Sequence, residues 1–345
     1  MGKCFLNDRG GLKVFPLLVH TSAGAKVTLT RGTKKYEATA DTTGSACFAL
    51  SKGTWTITLS DGTSEKVAAI DMTESKTYEF LLNKIPEFTY SGEYEVVSDD
   101  NTPINYSNDN WKIRFLTSGE LNITSLNGAE EGIDVFCVGG GGAGGSGNTG
   151  TGGAGGAGGF TATGLGVTID KSVPFEIVVG GGGTGAYGTY GGTGGDTSAF
   201  GITAKGGGGA SANYGGSGGS GGGGACSTNV NTGANGGSDG SNGTGGDRAS
   251  GGTGQGTTTK EFGEEDGTLY AGGGGSAQWN SSGRRGGYGG AGGGGNGGAG
   301  SPGTDGATNT GGGGGGSLGP ENFAYPGANG GSGIVIIRNK RQEVQ

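Results

Sequence analysis

The chain has 345 residues, enough for two or three domains, but only 30% of them are hydrophobic, which excludes a single large core. Eighty-one of its 93 glycines follow Val138, so the chain falls into two parts of different composition. The formal net charge is −8 and no basic stripe is present, which excludes nucleic-acid binding driven by phosphate contacts. The scarce apolar residues predict small β-sandwiches, in which two thin sheets share one layer of side chains.

The amino terminus predicts neither a secretory signal nor membrane insertion. No apolar region follows the first residues, and no run approaches the ~18 apolar residues of a membrane span. The four cysteines are far apart and lack metal-ligand spacing. Cys47 and Cys137, which lie inside apolar strand patterns, are interpreted as small buried hydrophobes. We expect no metal site and no cofactor.

Residues 1–15 are predicted to form a short N-terminal arm, and residues 16–86 a small β-sandwich. In the second segment apolar and polar residues alternate, and turn signals recur every ~8–12 residues. Trp55, in the middle of the segment, is the expected core anchor. Through the passage Gly53–Gly62, the segment resembles the Ig-like or carboxypeptidase-regulatory-like modules that are common in phage tail proteins.

Residues 87–110 are polar and acidic and are predicted to be a linker or edge segment. The remainder, residues 111–345, is predicted to be one glycine-rich domain. It opens with Trp111–Thr124, where alternating apolar residues on both sides of Ser118-Gly119 predict a hairpin. Ile133–Val138 then predicts a strand that continues directly into four glycines.

Several strand-like runs end in oligoglycine, which predicts that the glycine segments are folded. Ala154, Ala157 and Phe160 are separated by Gly-Gly, and the same spacing recurs later in the chain. Three residues per turn is the geometry of the polyproline II type, which has no internal hydrogen bonds. With glycine at two of three positions, such helices can approach to backbone contact and bond to one another. The sequence therefore predicts a bundle of polyglycine-II helices.

Two alternatives for the glycine segments stay open at this point. The first is a set of disordered loops on a folded sandwich, since glycine loses much conformational freedom on folding. The second is a collagen-like triple helix, because Gly297, Gly300, Gly303 and Gly306 are spaced by three. Collagen requires a sustained repeat, and here the spacing extends over four triplets only.

Three passages of the second part resemble the glycine-rich domain of phage and prophage tail fibre proteins. They are Trp111–Val138 with the four glycines that follow, Thr257–Gly275, and Gly331–Arg338. The resemblance covers about residues 110–340 and implies a sandwich that carries polyglycine-II helices. It also implies the virion role of a fibre, adhesin or baseplate appendage, but it identifies no binding residue. The same architecture resembles the glycine-rich module of some animal receptor tyrosine kinases.

Patterns that are typical of enzymes have simpler interpretations here. Matches to GxGxxG, such as Gly139–Gly144, arise by chance at this composition, and none opens a helix in a βαβ unit. His20 is the only histidine and is interpreted as a surface or edge residue. Glu264-Glu265-Asp266 and Asp99-Asp100 are interpreted as solvated acidic turns, with Ca²⁺ binding or glycoside hydrolysis as alternatives. The sequence predicts no catalytic residue.

The candidate binding residues are aromatic side chains between glycine runs, together with one basic pair. Side chains at the loop tips of a rigid bundle project into solvent, where Tyr and Trp provide contact area at low entropy cost. The alternative is that the rings cover the bundle and seal its backbone from water. Trp279 and Tyr190 are the preferred binders, and the basic pair suits an acidic glycan. The full set is Tyr187, Tyr190, Tyr214, Trp279, Arg284, Arg285, Tyr288 and Tyr325.

The sequence thus predicts a non-enzymatic structural protein of a phage or phage-like particle, made in the host cytoplasm and acting in the virion. The expected partners are other virion or tail proteins, bound through the N-terminal region, and a host-surface glycan or protein bound at the outward tip. A homotrimer is one expected assembly. A particle decoration or spike without receptor binding is the first alternative, and a polysaccharide depolymerase is the second.

Overall fold

The structure, a computed structural model, describes residues 14–62, 65–80, 85–102, 110–127, 129, 132–147, 152–188, 190–225, 234, 241–244, 250–251, 259–280, 283–320 and 323–339. Nearly all of the predicted N-terminal arm lies outside these residues. Within these ranges the ordered elements are strands and extended chain with one 3₁₀ turn, so the all-β prediction is confirmed. The part of the chain described contains no helix with the length and apolar character of a membrane span.

The chain divides into two compact units. The first comprises Met1–Glu87, Ser98–Trp111 and Thr124–Glu130, and the second comprises Phe88–Val97, Lys112–Ile123 and Glu131–Gln345. The strands of the first unit are β1 (Val14–His20), β2 (Lys26–Arg31), β3 (Lys34–Thr39), β4 (Ser45–Ser51), β5 (Gly53–Ser60), β6 (Glu65–Met72) and β7 (Lys76–Glu79). They form a three-stranded sheet, β4-β1-β7, and a four-stranded sheet, β3-β2-β5-β6.

Alternating residues of both sheets bury one shared core in the first unit. On β5, Trp55, Ile57 and Leu59 are buried, and they belong to the same cluster as Leu17 and Val19 of β1. Trp55 is 1% exposed, and its indole N–H donates to the carbonyl oxygen of Ser51 over 3.0 Å. Trp55 is therefore the core anchor that the sequence predicts. The specifically Ig-like character of this sandwich stays a prediction.

The two strand cysteines differ in their chemistry. Cys137 is a free thiol in the buried strand Ile133–Val138, as predicted. Cys47 is half-buried on the face of β4 that points away from the core, and it forms a disulfide. The interpretation of Cys47 as a simple buried hydrophobe is wrong, because the apolar residues on either side of it, and not the cysteine, face the core.

The second unit contains two larger sheets and several short strand pairs. Strands β8 to β11 lie mainly in this unit, although one or two end residues of each belong to the first. The strands are β8 (Glu87–Tyr90), β9 (Tyr94–Ser98), β10 (Trp111–Phe115), β11 (Gly119–Ser125), β12 (Ile133–Val138), β13 (Ser146–Gly147), β14 (Thr161–Val167), β15 (Phe175–Ile177), β16 (Thr197–Ala199), β17 (Ile202–Ala204), β18 (Ala277–Asn280), β19 (Gly283–Gly286), β20 (Ser317–Leu318) and β21 (Ile334–Asn339). The order of the five-stranded sheet is β14-β12-β21-β10-β9, and that of the three-stranded sheet is β15-β11-β8.

The order of the strands in the sheets bears on two predictions, the hairpin around Ser118-Gly119 and the linker or edge segment 87–110. Strands β10 and β11 lie in different sheets, so the predicted hairpin around Ser118-Gly119 is wrong. Alternation shows which face of a strand is buried, but it does not identify the strand that pairs with it. The predicted linker or edge segment, residues 87–110, supplies β8 and β9, which are outer strands of the two sheets. Residues 103–109 of that segment lie outside the described residues.

Glycine runs continue from the strands as polyglycine-II helices, and the run 139–145 after β12 shows their geometry. Successive N–H groups of this run donate to three different neighbouring runs, and the order repeats every three residues. Gly139, Gly142 and Gly145 donate to residues 160, 157 and 154. The two residues that follow Gly139, and the two that follow Gly142, donate to runs 192–195 and 328–331, and all these bonds are 2.8–3.0 Å long. Every third residue therefore meets the same neighbour, which is the period of this helix type.

The carbonyl groups of the same run bond to three further neighbours. Gly207 and Ala210 donate to the oxygens of Gly140 and Ala143, and Gly314 and Ser317 to those of Gly142 and Gly145. Gly183 donates to Gly141. The helix is thus surrounded by six others, and residues 139–147 are all buried. The predicted polyglycine-II bundle is confirmed, and the disordered-loop alternative is wrong for these glycines.

The collagen-like alternative is also wrong. The run that contains Gly297 turns back on itself near Pro302, and Thr304 and Ala307 then donate to Asn296 and Gly293 of the preceding run. The spacing of three between Gly297 and Gly306 therefore belongs to two neighbouring helices of one chain. A collagen strand would instead continue in one direction through all four triplets.

Helices that leave the sheets return to them after a turn at the opposite end of the bundle. Run 180–186 follows β15, and run 191–196 leads into β16; they bond antiparallel through Gly192 to Thr184 and Gly195 to Gly181. Run 205–210 similarly follows β17 and reaches its turn at Ser211. We call the described residues of the connections at this end, 187–188, 190, 211–214, 277–280, 283–286, 319–320 and 323–326, the distal turns.

Candidate functional site

The distal turns carry all but one of the predicted binding residues. Tyr187, Tyr190 and Tyr214 project into solvent from these turns, with exposed fractions of 65%, 72% and 60%. Tyr288 is 64% exposed, but it lies just outside the distal turns, on the glycine run that follows Gly286. Exposed rings at the end of a hydrogen-bonded scaffold can contact a ligand without ordering a flexible loop.

Two of these turns meet in an open groove with a volume of about 220 Å³. Tyr190 and Tyr214 both line it, although 24 residues separate them in the sequence. The remaining lining residues are Gly188, Ser211, Ala212 and Asn213, so none of the lining side chains is charged. The groove therefore combines two aromatic rings with uncharged hydrogen-bonding groups, and we call it the tyrosine groove.

The turn 211–214 is held rigid by its own hydrogen bonds. The Ser211 N–H donates to the Tyr214 carbonyl oxygen over 2.9 Å, and the Ser211 hydroxyl oxygen accepts from the Tyr214 N–H over 2.8 Å. The same hydroxyl accepts from the Asn213 N–H over 3.3 Å. On the opposing turn, Gly188 has a φ of 86°, a left-handed conformation that glycine adopts without strain.

The basic pair and Trp279 lie together on the β18–β19 hairpin. Trp279 is paired with Arg284 across the two strands, and the guanidinium carbon lies 4.7 Å from the ring centroid. This distance is that of a cation–π contact. The preferred binder Trp279 is half-buried, and one face of its ring is covered by Arg284, whereas Arg284 and Arg285 are exposed.

Tyr325 is the least exposed of the five candidate tyrosines. It is half-buried and packs edge-to-face against Phe323, with ring centroids 5.1 Å apart. Its carbonyl oxygen accepts a 2.7 Å hydrogen bond from the Ser146 hydroxyl. Phe323 is 53% exposed, so this turn presents an aromatic ring that the sequence analysis missed because only tyrosine and tryptophan were considered.

Comparison with known protein families matches residues 117–340 to a model described as a glycine-rich domain. The chain belongs to the glycine-rich domain family. The matched segment agrees with the range of the resemblance noted above, and it begins just before β11. No curated protein matches the chain.

At the sheet end of the glycine-rich domain, a buried ionic cluster holds the 3₁₀ turn Glu261–Gly263. Lys112 Nζ lies 2.7 Å from Glu261 Oε1, and both side chains are about 95% buried. The Tyr270 hydroxyl donates to the other Glu261 oxygen over 3.2 Å. Burial, reinforced by the Glu261 carboxylate, raises the pKa of Tyr270.

A second ionic group adjoins this turn. Arg338 contacts the buried Asp134 carboxylate at 3.2 Å and the Glu264 carboxylate at 2.6 Å, and its guanidinium lies 3.9 Å from the Phe262 ring centroid. Glu264, interpreted from the sequence as part of a solvated acidic turn, is therefore an ion-pair partner that is 45% exposed. In the described ranges, no group of three or more His, Cys, Asp or Glu side chains is placed to hold a metal ion.

The other acidic pair of the sequence analysis lies in a self-contained turn. Asp100 accepts hydrogen bonds from the hydroxyl groups of Ser98 and Thr102 and from the Thr102 N–H. These bonds lower the pKa of Asp100 to about 2. Its carboxylate therefore organises the turn, which is a sufficient role for this acidic residue.

Proposed function

We propose that this protein is a structural component of a phage-like particle and that the distal turns of its glycine-rich domain contact a host cell surface. The observation that carries the proposal is the tyrosine groove at the end of the bundle opposite the sheets. Large exposed rings on a soluble protein are typical of contact surfaces, and aromatic residues dominate the energy of such contacts.

Two further features support this proposal. The hydrogen-bonded helices hold the turns in place, so binding loses little conformational entropy. The disulfide at Cys47 is typical of proteins that act outside the reducing cytosol, as a virion protein does. Under this proposal the first unit attaches the chain to other particle proteins, and a homotrimer is the assembly that we favour.

The test is the binding of the fluorescently labelled, purified chain to a panel of bacterial strains. We expect the chain to bind a subset of strains, and we expect the double variant Tyr190→Ala/Tyr214→Ala to lose at least about tenfold in affinity, because two ring contacts are removed. Leu165→Ala is the matched control, since Leu165 is 65% exposed on β14 at the sheet end of the same unit.

The control variant is expected to bind as the parent chain does. A labelled chain that binds none of the strains would contradict the receptor role and favour a particle decoration. Equal binding by the parent chain and the double variant would place the contact elsewhere on the molecule. Release of reducing sugar from the bound cells would instead support the depolymerase alternative.

A further inference from the structure

We infer that the tyrosine groove binds one neutral sugar ring of a cell-surface glycan. This inference rests on the proposed function for its biological setting, but the binding itself can be measured without any cell. It assigns a ligand class to Tyr190, Tyr214 and the polar turn residues Ser211 and Asn213, two of which the sequence analysis did not include among the candidates.

The groove presents a pair of exposed aromatic rings. Tyr190 and Tyr214 are 72% and 60% exposed while lining the same groove. A pyranose ring has an apolar face of C–H groups and a rim of hydroxyl groups. The face of an aromatic ring is electron-rich and attracts such polarised C–H groups, while the phenol hydroxyl stays available to the rim. Two tyrosines on one groove therefore match the two chemically different surfaces of a sugar.

The groove also has a polar lining, formed by Ser211 and Asn213. The Asn213 side-chain oxygen is shielded from solvent and has no hydrogen-bond partner among the described residues. A shielded acceptor without a donor is unfavourable, so the amide gains by turning toward a hydroxyl group in the groove. The Asn213 carbonyl oxygen already accepts from the Ala225 N–H over 3.1 Å, which leaves the side-chain amide as the adaptable group of this residue.

Charge and size select among glycans. None of the lining side chains is charged, whereas the exposed arginines Arg284 and Arg285 lie on another turn. An acidic sugar would lose its hydration in the groove without gaining a cation, which is costly. The volume of about 220 Å³ is below the ~300–1,000 Å³ of pockets that enclose drug-sized ligands. It therefore suits one ring at the end or edge of a longer glycan.

The groove is unobstructed beside Gly188. Apart from the chain neighbours of this glycine, no atom lies within 4 Å of the position that a Cβ on it would occupy. The internal hydrogen bonds of turn 211–214 fix one side of the groove before a ligand binds. The open space beside Gly188 leaves room for the ligand on the other side. A preformed aromatic platform raises affinity by avoiding the cost of ordering a loop.

The experiment is saturation-transfer NMR on the full chain with methyl glycosides of glucose, galactose, mannose and N-acetylglucosamine, and with glucuronic and sialic acid glycosides for comparison. We expect transfer to ring C–H protons of at least one neutral glycoside. The signal should fall about tenfold in Tyr190→Ala and in Tyr214→Ala, because each variant removes one stacking face. Tyr190→Phe should retain most of the signal, and Leu165→Ala and Trp279→Ala should retain all of it.

The inference is overturned if no neutral glycoside receives saturation, if only the acidic glycosides do, or if both alanine variants bind as the parent chain does. The far-ultraviolet spectrum and the melting temperature of each variant show whether it is folded. Loss of cell binding in the double variant without any glycoside binding would reject the sugar site while leaving the proposed function in place. Glycoside binding by a chain that binds no cells would support the sugar site and contradict the proposed function.

Discussion

At the scale of single residues, the bundle requires glycine because the space for a side chain is occupied by the backbone of a neighbouring helix. A Cβ on Gly141 would lie 2.0 Å from the Gly312 carbonyl oxygen, and one on Gly142 would lie 2.1 Å from that of Gly208. Three buried alanines, Ala154, Ala210 and Ala225, instead pack against one another, so the bundle leaves room for their methyl groups. The short distance between neighbouring helices thus explains why so many positions of the domain are glycine.

Substitution of two glycines in neighbouring helices tests this account. Gly142→Ala should lower the free energy of unfolding by at least about 1–3 kcal/mol, because a backbone oxygen must move to admit the methyl group. Gly181→Ala is the matched control, since no atom lies within 4 Å of its Cβ position. It should leave stability unchanged or raise it by about 0.4–1 kcal/mol through the unfolded state. Equal destabilisation by the two changes, measured by calorimetry, would refute the steric explanation.

The Cys137 thiol provides a second test at this scale. Burial raises its pKa from 9.0 to about 12, so the fold favours the neutral thiol. The resulting contribution to stability is present below the unfolded pKa of about 9 and is lost as the pH rises toward 12. At pH 8, iodoacetamide should modify Cys137 in the unfolded chain and spare it in the native one, as read by peptide mass spectrometry. Native labelling at the unfolded rate would show that β12 opens readily.

At the scale of elements, the 3₁₀ turn Glu261–Gly263 is attached to the sheets by charged groups and by aromatic packing. Phe262 adopts a φ of 55°, which is unfavourable for an aromatic residue. Its ring packs against Phe136, with centroids 5.7 Å apart, and beneath the Arg338 guanidinium. The surrounding contacts therefore determine the conformation of this turn.

A double-mutant cycle on Lys112 and Glu261 measures the strength of the attachment. Lys112→Met should lower stability by about 3–5 kcal/mol, because it leaves the Glu261 carboxylate buried without its cation. Adding Glu261→Leu should restore much of the loss, since the charge is then absent. Lys205→Met is the control at an exposed pair of 2.6 Å with Asp196, where at most about 1 kcal/mol is expected. Similar losses at both sites, by urea unfolding, would argue against a buried clamp.

Sequence patterns predict individual elements well and their partners poorly. The strand Ile133–Val138 and the Gly-Gly spacing from Ala154 to Phe160 are local signals, and both elements form as predicted. Pairing is a long-range property, so alternation alone could not separate β10 from β11. The Lys112–Glu261 pair joins residues 149 positions apart, and nothing near either residue predicts the contact.

The same limit applies to the candidate site. Placement between glycine runs was enough to predict that Tyr190 and Tyr214 are exposed. Their meeting in one groove depends on which helices are neighbours, which the sequence does not reveal. Asn213 was overlooked for a related reason, because a polar turn residue is common and its unpaired oxygen is visible only in the folded chain. Arg284 lies over Trp279 because the two residues are cross-strand partners in the β18–β19 hairpin. The sequence contains no strong signal that predicts this hairpin or its register.

At the scale of the whole molecule, the glycine runs of the second unit are predicted to be as stable as its sheets. Amide hydrogen exchange should show strong protection from Gly139 to Gly145, comparable with that of β12 and β21, because each of these N–H groups is bonded and buried. The urea-unfolded chain provides the reference rates. Exchange of these glycines at the reference rates, with the strands still protected, would disprove a cooperative bundle.

The hydrogen bonds between polyglycine-II helices run across the bundle, and this direction has a mechanical consequence. A pull on a distal turn acts along the helix axes, so it loads the lateral bonds of a helix in shear, many at a time. The run 139–145 is joined in this way to six neighbours. Rupture then requires the simultaneous failure of several bonds instead of their successive opening. A bundle of glycine-rich helices is for this reason suited to resist tension between its distal turns and its sheets.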